Sequence, residues 1–225
     1  QGNSDAQYYI GIMYEQGFGV SQDINKAIEW YRLAAEQGVS SAQFNLGIIF
    51  AEGLDVAQDN VEAAKWYLLA AEQGDSGAQI KLGFMYQEGR GVTQSNQRAV
   101  KWYRLAAEQG EAQAQFNLGK SYTTGEGVPQ NSQSAVRWLQ LAAEQGHVDA
   151  QFQLGLIYDD GKIIPQDYTE AVKWYRLAAE NGDSEAQSNL GLMYYEGLGT
   201  PQDYDEAVKW FRLAAEQGDP LAQQN

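Results

Sequence analysis

The 225-residue chain carries 15 Lys and Arg against 30 Asp and Glu, a net charge of −15 at pH 7, with no cysteine and a single histidine. That inventory excludes disulfide frameworks, thiolate nucleophiles, thiolate metal sites and His-rich metal centres, and the charge disfavours nucleic acid and anionic lipid while favouring basic partners. At 44% hydrophobic the chain can bury a core, yet no apolar run approaches the roughly 20 residues that span a bilayer.

The first predicted element is a helix with Ala6, Ile10, Met13 and Tyr14 on its core face at helical spacing. Gly11 lies inside it, where glycine costs about 1 kcal/mol relative to alanine; the expected compensation is close approach to a small residue such as Ala27 on the partner helix. Gly17-Phe18-Gly19-Val20 makes a turn, and Ala27, Trp30, Tyr31, Ala34 and Ala35 form a second helix that ends at Gly38. The hairpin then repeats: Trp30, Trp66, Trp102, Trp138, Trp174 and Trp210 recur every 36 residues without a slip. In the later copies the second helix has a readable start, with Asp59, Asp167 and Asp203 as N-caps and Glu62, Glu170 and Glu206 expected to close capping boxes. Each indole can bury about 150–250 Å², or about 4–6 kcal/mol at about 25 cal/mol/Å², so the tryptophan column is expected to be the largest packing contribution per hairpin.

Departures from the period are local. Asp55 and Ile163 replace the second loop glycine, Thr200 replaces the valine after it, and Leu139 replaces the second aromatic, which singles out the turns of the second and fifth hairpins. His147 falls in an interhelical turn and reads as solvated, with no catalytic role. Asp159 and Asp160 are adjacent carboxylates that point about 100° apart on a helix, which favours a solvated helix end over a metal or acid/base dyad. No serine nucleophile elbow, Ser-x-x-Lys pair or phosphate-binding loop occurs, so the reading is of a protein that is not an enzyme and needs no cofactor.

One hairpin cannot cover both of its apolar stripes, so the copies must stack. The stretches Ala42-Gln43-Phe44-Asn45-Leu46-Gly47, Gly197-Leu198-Gly199 and Glu206-Ala207-Val208-Lys209-Trp210-Phe211-Arg212-Leu213-Ala214-Ala215 resemble the Sel-1-like repeat, a relative of the tetratricopeptide repeat. The resemblance covers nearly the whole chain and implies an all-α fold, a right-handed superhelical solenoid of stacked helix-turn-helix hairpins. Residues 1–225 are expected to form a single domain of six repeats, with remnants of further repeats at 1–2 and 219–225, as in a fragment of a longer repeat protein whose ends are open to self-association.

In folds of this kind the side of the first helix opposite its core lines a concave, ligand-holding surface, and the resemblance implies the same here. On that side lie Tyr8, Phe44, Ile80, Phe116 and Phe152, beside Ile12, Ile48, Phe84, Lys120, Leu156 and Leu192. Glu15, Glu52, Glu88, Asp159, Asp160, Tyr195 and Glu196 border them. An apolar, acid-rimmed groove of this kind suits a protein or peptide segment carrying apolar residues flanked by Lys or Arg; the alternative weighed against it is burial of the same stripe between hairpins. On the second helices, Lys65, Lys101, Arg137, Lys173 and Lys209 form one basic column and Arg32, Arg104, Arg176 and Arg212 another, the latter expected to pair with the Glu36 column four residues on. The reading is therefore a protein-interaction scaffold or adaptor with no nucleic-acid role and no membrane insertion. A second reading is a carbohydrate- or envelope-associated module, in which Tyr8 and Tyr195 touch sugars and Asp159 or Asp160 acts as acid/base.

Overall fold

The computed structural model describes residues 2–218, and these hold twelve helices and no strand. In order they are α1 (Ser4–Gln16), α2 (Ile24–Ala35), α3 (Ser40–Glu52), α4 (Asn60–Glu72), α5 (Ser76–Glu88), α6 (Asn96–Glu108), α7 (Ala112–Thr124), α8 (Ser132–Glu144), α9 (Val148–Asp160), α10 (Tyr168–Glu180), α11 (Ser184–Glu196) and α12 (Tyr204–Glu216). The chain is an all-α solenoid of stacked helix hairpins, and it falls into two compact units: Gln1–Ala114 with Glu126–Val128, and Gln115–Gly125 with Pro129–Asn225. The repeat remnants expected at Gln1 and at 219–225 lie outside the described residues.

Second helices begin as the sequence predicts at one atom and not at another. Asp59 accepts from the Val61 and Glu62 amides, and Asp167 and Asp203 do the same for their own first turns. The capping boxes do not close. The amide of each N-cap donates instead to a carbonyl of the preceding helix, Asp59 to Phe50 and Asp167 to Tyr158 at 2.9 Å, which ties the turn down. Glu62 is thereby released to accept from Lys65 Nζ at 3.0 Å and from the Trp66 indole at 3.1 Å.

Within each hairpin the glycine column meets aromatic rings rather than alanine. A Cβ on Gly47 would stand 2.5 Å from ring carbons of Tyr67, and one on Gly155 would stand 2.4 Å from the Tyr175 ring. The hydrogen side chain therefore seats a ring flat against the helix backbone, which explains why Tyr31, Tyr67, Tyr103 and Tyr175 are almost wholly buried. Leu139, which interrupts that aromatic column, fills the same place against Gly119.

Tryptophan does a different job. Trp102 joins a core made by α4 and α5, with Ala70, Ala78, Leu82 and Met85; Trp174 joins α8 and α9, and Trp210 joins α10 and α11. Each of these indoles seals its hairpin to the one before, while Trp30, Trp66 and Trp138 stay partly exposed. In the first, second, third and fifth hairpins the fully buried aromatic is thus the tyrosine, while the tryptophan column is buried in only three of its six copies. Ala6 and Met13 depart from the core face expected of them, Met13 being 47% exposed. The surface that covers their column elsewhere is the second helix of the preceding hairpin, as α2 covers Ala42 and Ile49.

Two sets of glutamine contacts, not singled out from the sequence, brace each hairpin. Gln43, Gln79, Gln151 and Gln187 are buried, and each donates to a carbonyl of the second helix before it, Gln43 to Ala35 at 3.0 Å. Their own carbonyl oxygens accept from residues at the end of the next second helix, such as Gln73 to Gln43 at 2.7 Å and Gln217 to Gln187 at 2.9 Å. A donor and an acceptor on one side chain thus join a buried carbonyl of one hairpin to the end of the next second helix.

Candidate functional site: the face of the first helices

In the first unit α3 packs beside α5, and in the second α9 packs beside α11, so first helices form the tighter row of each stack. None of the apolar residues expected on their outward side is fully buried. Tyr8, Phe44, Ile80, Phe116 and Phe152 are half-buried, as are Ile12, Ile48, Phe84 and Leu156, while Leu192 is 39% exposed and Lys120 exposed. Each aromatic has one side against the core: Phe44 lies 5.8 Å from the Tyr67 ring, Phe84 5.5 Å from Tyr103 and Phe152 6.0 Å from Tyr175. The row is thus a roof over the buried tyrosines with its outer surface in solvent.

The acidic rim divides into two kinds of carboxylate. Glu15 accepts a short hydrogen bond from the Tyr31 hydroxyl, and Asp159 accepts one from Tyr175 at 3.0 Å. These two serve the core as well as the surface. Burial pushes the carboxyl of Asp159 above its ordinary range despite the tyrosine bond that opposes it, and burial likewise drives the Tyr31 and Tyr175 hydroxyls upward, so both remain donors. Asp160 pairs with Lys162 at 3.2 Å, and Glu88 pairs with Arg90. Glu52 and Glu196 are exposed and have no ion-pair partner among the described residues. Tyr195 is exposed, edge-on to Tyr204 at 5.6 Å.

Three further residues depart from the sequence reading. His147 is the N-cap of α9, accepting from the Ala150 amide at 3.3 Å and stacked 4.7 Å from Phe116, so it is structural and half-buried rather than solvated. Burial lowers its pKa, which keeps the accepting nitrogen unprotonated. Asp55 adopts φ 51°, the left-handed backbone of the glycine it replaces. Ile163 does not. In the third, fourth and sixth loops the glycine at that position presses on the preceding hairpin, and a Cβ on Gly199 would stand 2.2 Å from the Tyr168 carbonyl. The fifth turn closes instead through the Lys162 amide on Asp160 at 2.9 Å.

On the opposite face the expected arginine–glutamate pairing gives way to other partners. Lys65, Lys173 and Lys209 pair with the glutamate three residues earlier, at 2.9 to 3.1 Å. Arg32 and Arg176 lie over Phe50 and Tyr194 of the following hairpin, 5.6 and 5.8 Å from the ring centres. These five bases are thus engaged by groups of the chain itself.

The 36-residue Sel1 repeat matches the chain six times in succession, over residues 4–39, 40–75, 76–111, 112–147, 148–183 and 184–219. The chain belongs to the Sel1-repeat family. It is similar to a protective antigen present in uropathogenic Escherichia coli strains displaying an SLR fold, with 41% identity and a TM-score of 0.94 over 99% of this chain and 48% of the antigen. It is also similar to a Sel1 repeat protein from Oxalobacter formigenes, with 39% identity and a TM-score of 0.83 over 100% of this chain and 65% of that one. This chain therefore spans about half of the first relative and just under two thirds of the second. A Sel1 repeat protein from Klebsiella pneumoniae shares the fold at 23% identity and a TM-score of 0.53, over 88% of this chain and 96% of its own. Comparison with curated proteins finds no match. Sel1 repeats generally serve as non-catalytic protein-interaction scaffolds. Among the described residues no helix is long and apolar enough to cross a membrane.

Proposed function

We propose that this Sel1-repeat chain is a non-catalytic scaffold whose first-helix rows hold an extended or helical peptide of another protein, apolar with flanking Lys or Arg. The observation that carries the reading is the half-exposed roof of Phe44, Ile48, Ile80 and Phe84 in one unit, and of Phe116, Phe152, Leu156 and Leu192 in the other. Half-exposed apolar side chains on rigid helices give up little conformational freedom when a ligand covers their remaining surface. The unpaired carboxylates of Glu52 and Glu196 favour Lys or Arg beside the apolar anchors and speed their encounter. Lys120, the one base in the row, favours an acidic group at that point of the ligand.

Panning a random peptide library on the chain tests this. The expected selection is of sequences with apolar anchors next to Lys or Arg, and Phe116→Ala with Phe152→Ala is expected to weaken the selected peptides at least about tenfold, or about 1.4 kcal/mol. Selection of uniformly acidic peptides, or unchanged affinity in that double variant, overturns the reading.

A further inference from the structure

The first unit carries one break in an otherwise regular contact. In the first and third hairpins the buried tyrosine hydroxyl has a partner on its own first helix: Tyr31 donates to Glu15, and Tyr103 donates to the Gln87 side-chain carbonyl at 2.8 Å. In the second hairpin the corresponding position is Ala51, which can accept nothing. Tyr67 is 2% exposed, and its hydroxyl donates to no described residue and opens onto solvent in the cavity instead. A cavity of about 250 Å³ opens in the place of the missing side chain, walled by Tyr67, Ala51, Phe84 and Met85, with Glu52 and Asn60 among its polar groups.

The polar groups narrow what can occupy it. Lys81 and the Arg90–Glu88 ion pair stand at the edge and sum to one positive charge, which offsets that of Glu52. Glu52 is unpaired among the described residues, and close enough for its charge to act on the Tyr67 hydroxyl. An occupant that displaces water from the cavity therefore meets a phenol O–H with no acceptor in the chain and a carboxylate with no donor in it. A ligand carboxylate would accept from Tyr67 but face Glu52, and an ammonium or guanidinium would pair with Glu52 but offer the Tyr67 O–H no acceptor. A primary carboxamide satisfies both, its carbonyl accepting from Tyr67 and its NH₂ donating to Glu52. The same group already serves Tyr103 one hairpin along, where Gln87 supplies it from within the chain.

We infer that this cavity receives the side-chain carboxamide of a glutamine or asparagine in the peptide held by the first-helix row, supplying from the partner the acceptor that the second hairpin lacks. The inference rests on the scaffold reading above for the carrier of the group, and on Tyr67, Glu52 and Ala51 for the group itself.

The test is NMR of ring-labelled tyrosine during titration with N-acetyl-glutamine N-methylamide, and with its glutamate and lysine analogues. The expected result is a saturable shift of Tyr67 with the glutamine probe, at least about tenfold stronger than with either analogue. Ala51→Gln, which restores the internal acceptor, is expected to abolish the shift and to melt at a higher temperature than the parent. Tyr67→Phe, which keeps the ring, is expected to lose the preference for glutamine over glutamate, read from a second cavity resonance such as the Met85 methyl. Equal responses to the three probes, no saturable response, or undiminished binding in Ala51→Gln overturns the inference. Library-selected peptides that bind Ala51→Gln and the parent equally overturn it while leaving the scaffold reading intact. A probe response in a chain that selects no peptide overturns the peptide as carrier.

Discussion

Two neighbouring aromatic columns in this chain have the same chemistry and opposite fates. Tyr31, Tyr67, Tyr103 and Tyr175 lie under the glycines and are almost wholly buried. Tyr8, Phe44, Phe116 and Phe152 sit a few ångströms away against those rings or against His147 and keep one face in solvent. What separates them is the backbone opposite: a glycine lets the ring drop between the helices of a hairpin, whereas the outer column has no second helix above it. The buried column holds the repeat together, and the outer column is left partly in solvent, where the proposed peptide would lie.

The strongest way to break that contrast is Tyr175→Ala, expected to cost about 3–5 kcal/mol in urea denaturation, the range for deleting a large buried aromatic. A loss no greater than that of Phe152→Ala would erase the distinction between the columns. Next comes Gly155→Ala. Its gain of about 1 kcal/mol in helix propensity is opposed by a clash with the Tyr175 ring, and overpacking costs about 1–3 kcal/mol, so a net loss is expected. In the Tyr175→Ala background the same glycine substitution should turn neutral or stabilising, because the ring it strikes is gone; a loss that persists there would place the strain elsewhere.

The smallest effect concerns His147, which joins the outer column to a helix start. Burial lowers its pKa from the ordinary value of 6.5, so the folded state binds a proton less readily than the unfolded chain. Its capping contribution is complete above that ordinary value and is lost as pH falls through the lowered folded value. Hydrogen exchange of the Ala150 amide should accelerate over that window by an amount matching a cap of about 1 kcal/mol. His147→Asn, which accepts without titrating in that range, should flatten the dependence.

Much of this could be read from the chain. The 36-residue step of Trp30 and its copies, the Asp59 and Asp167 caps and the terminal glycine at Gly38 define the hairpins, because local backbone geometry demands those residues at those positions. The partner of Gly11 was not readable. Trp30 and Tyr31 are adjacent and differ by about 100° around the helix, so both satisfy the helical period; Tyr31 faces its own hairpin, while the tryptophans of later copies face the preceding one. The capping boxes failed for a similar reason, since the Asp59 amide found a carbonyl on another helix that no local pattern announces.

For the candidate site, the sequence named the half-exposed row and its acidic border. It did not separate Glu15 and Asp159, which accept from buried tyrosines, from Glu52, which does not. That division depends on which residue stands sixteen positions away once the hairpin has closed. Sequence alone determined the repeat, its helices and its turns, all set by interactions within a few residues. Helix crossing decided which ring fills which space and which carboxylates stay unpaired, because those outcomes depend on atoms brought together only by packing.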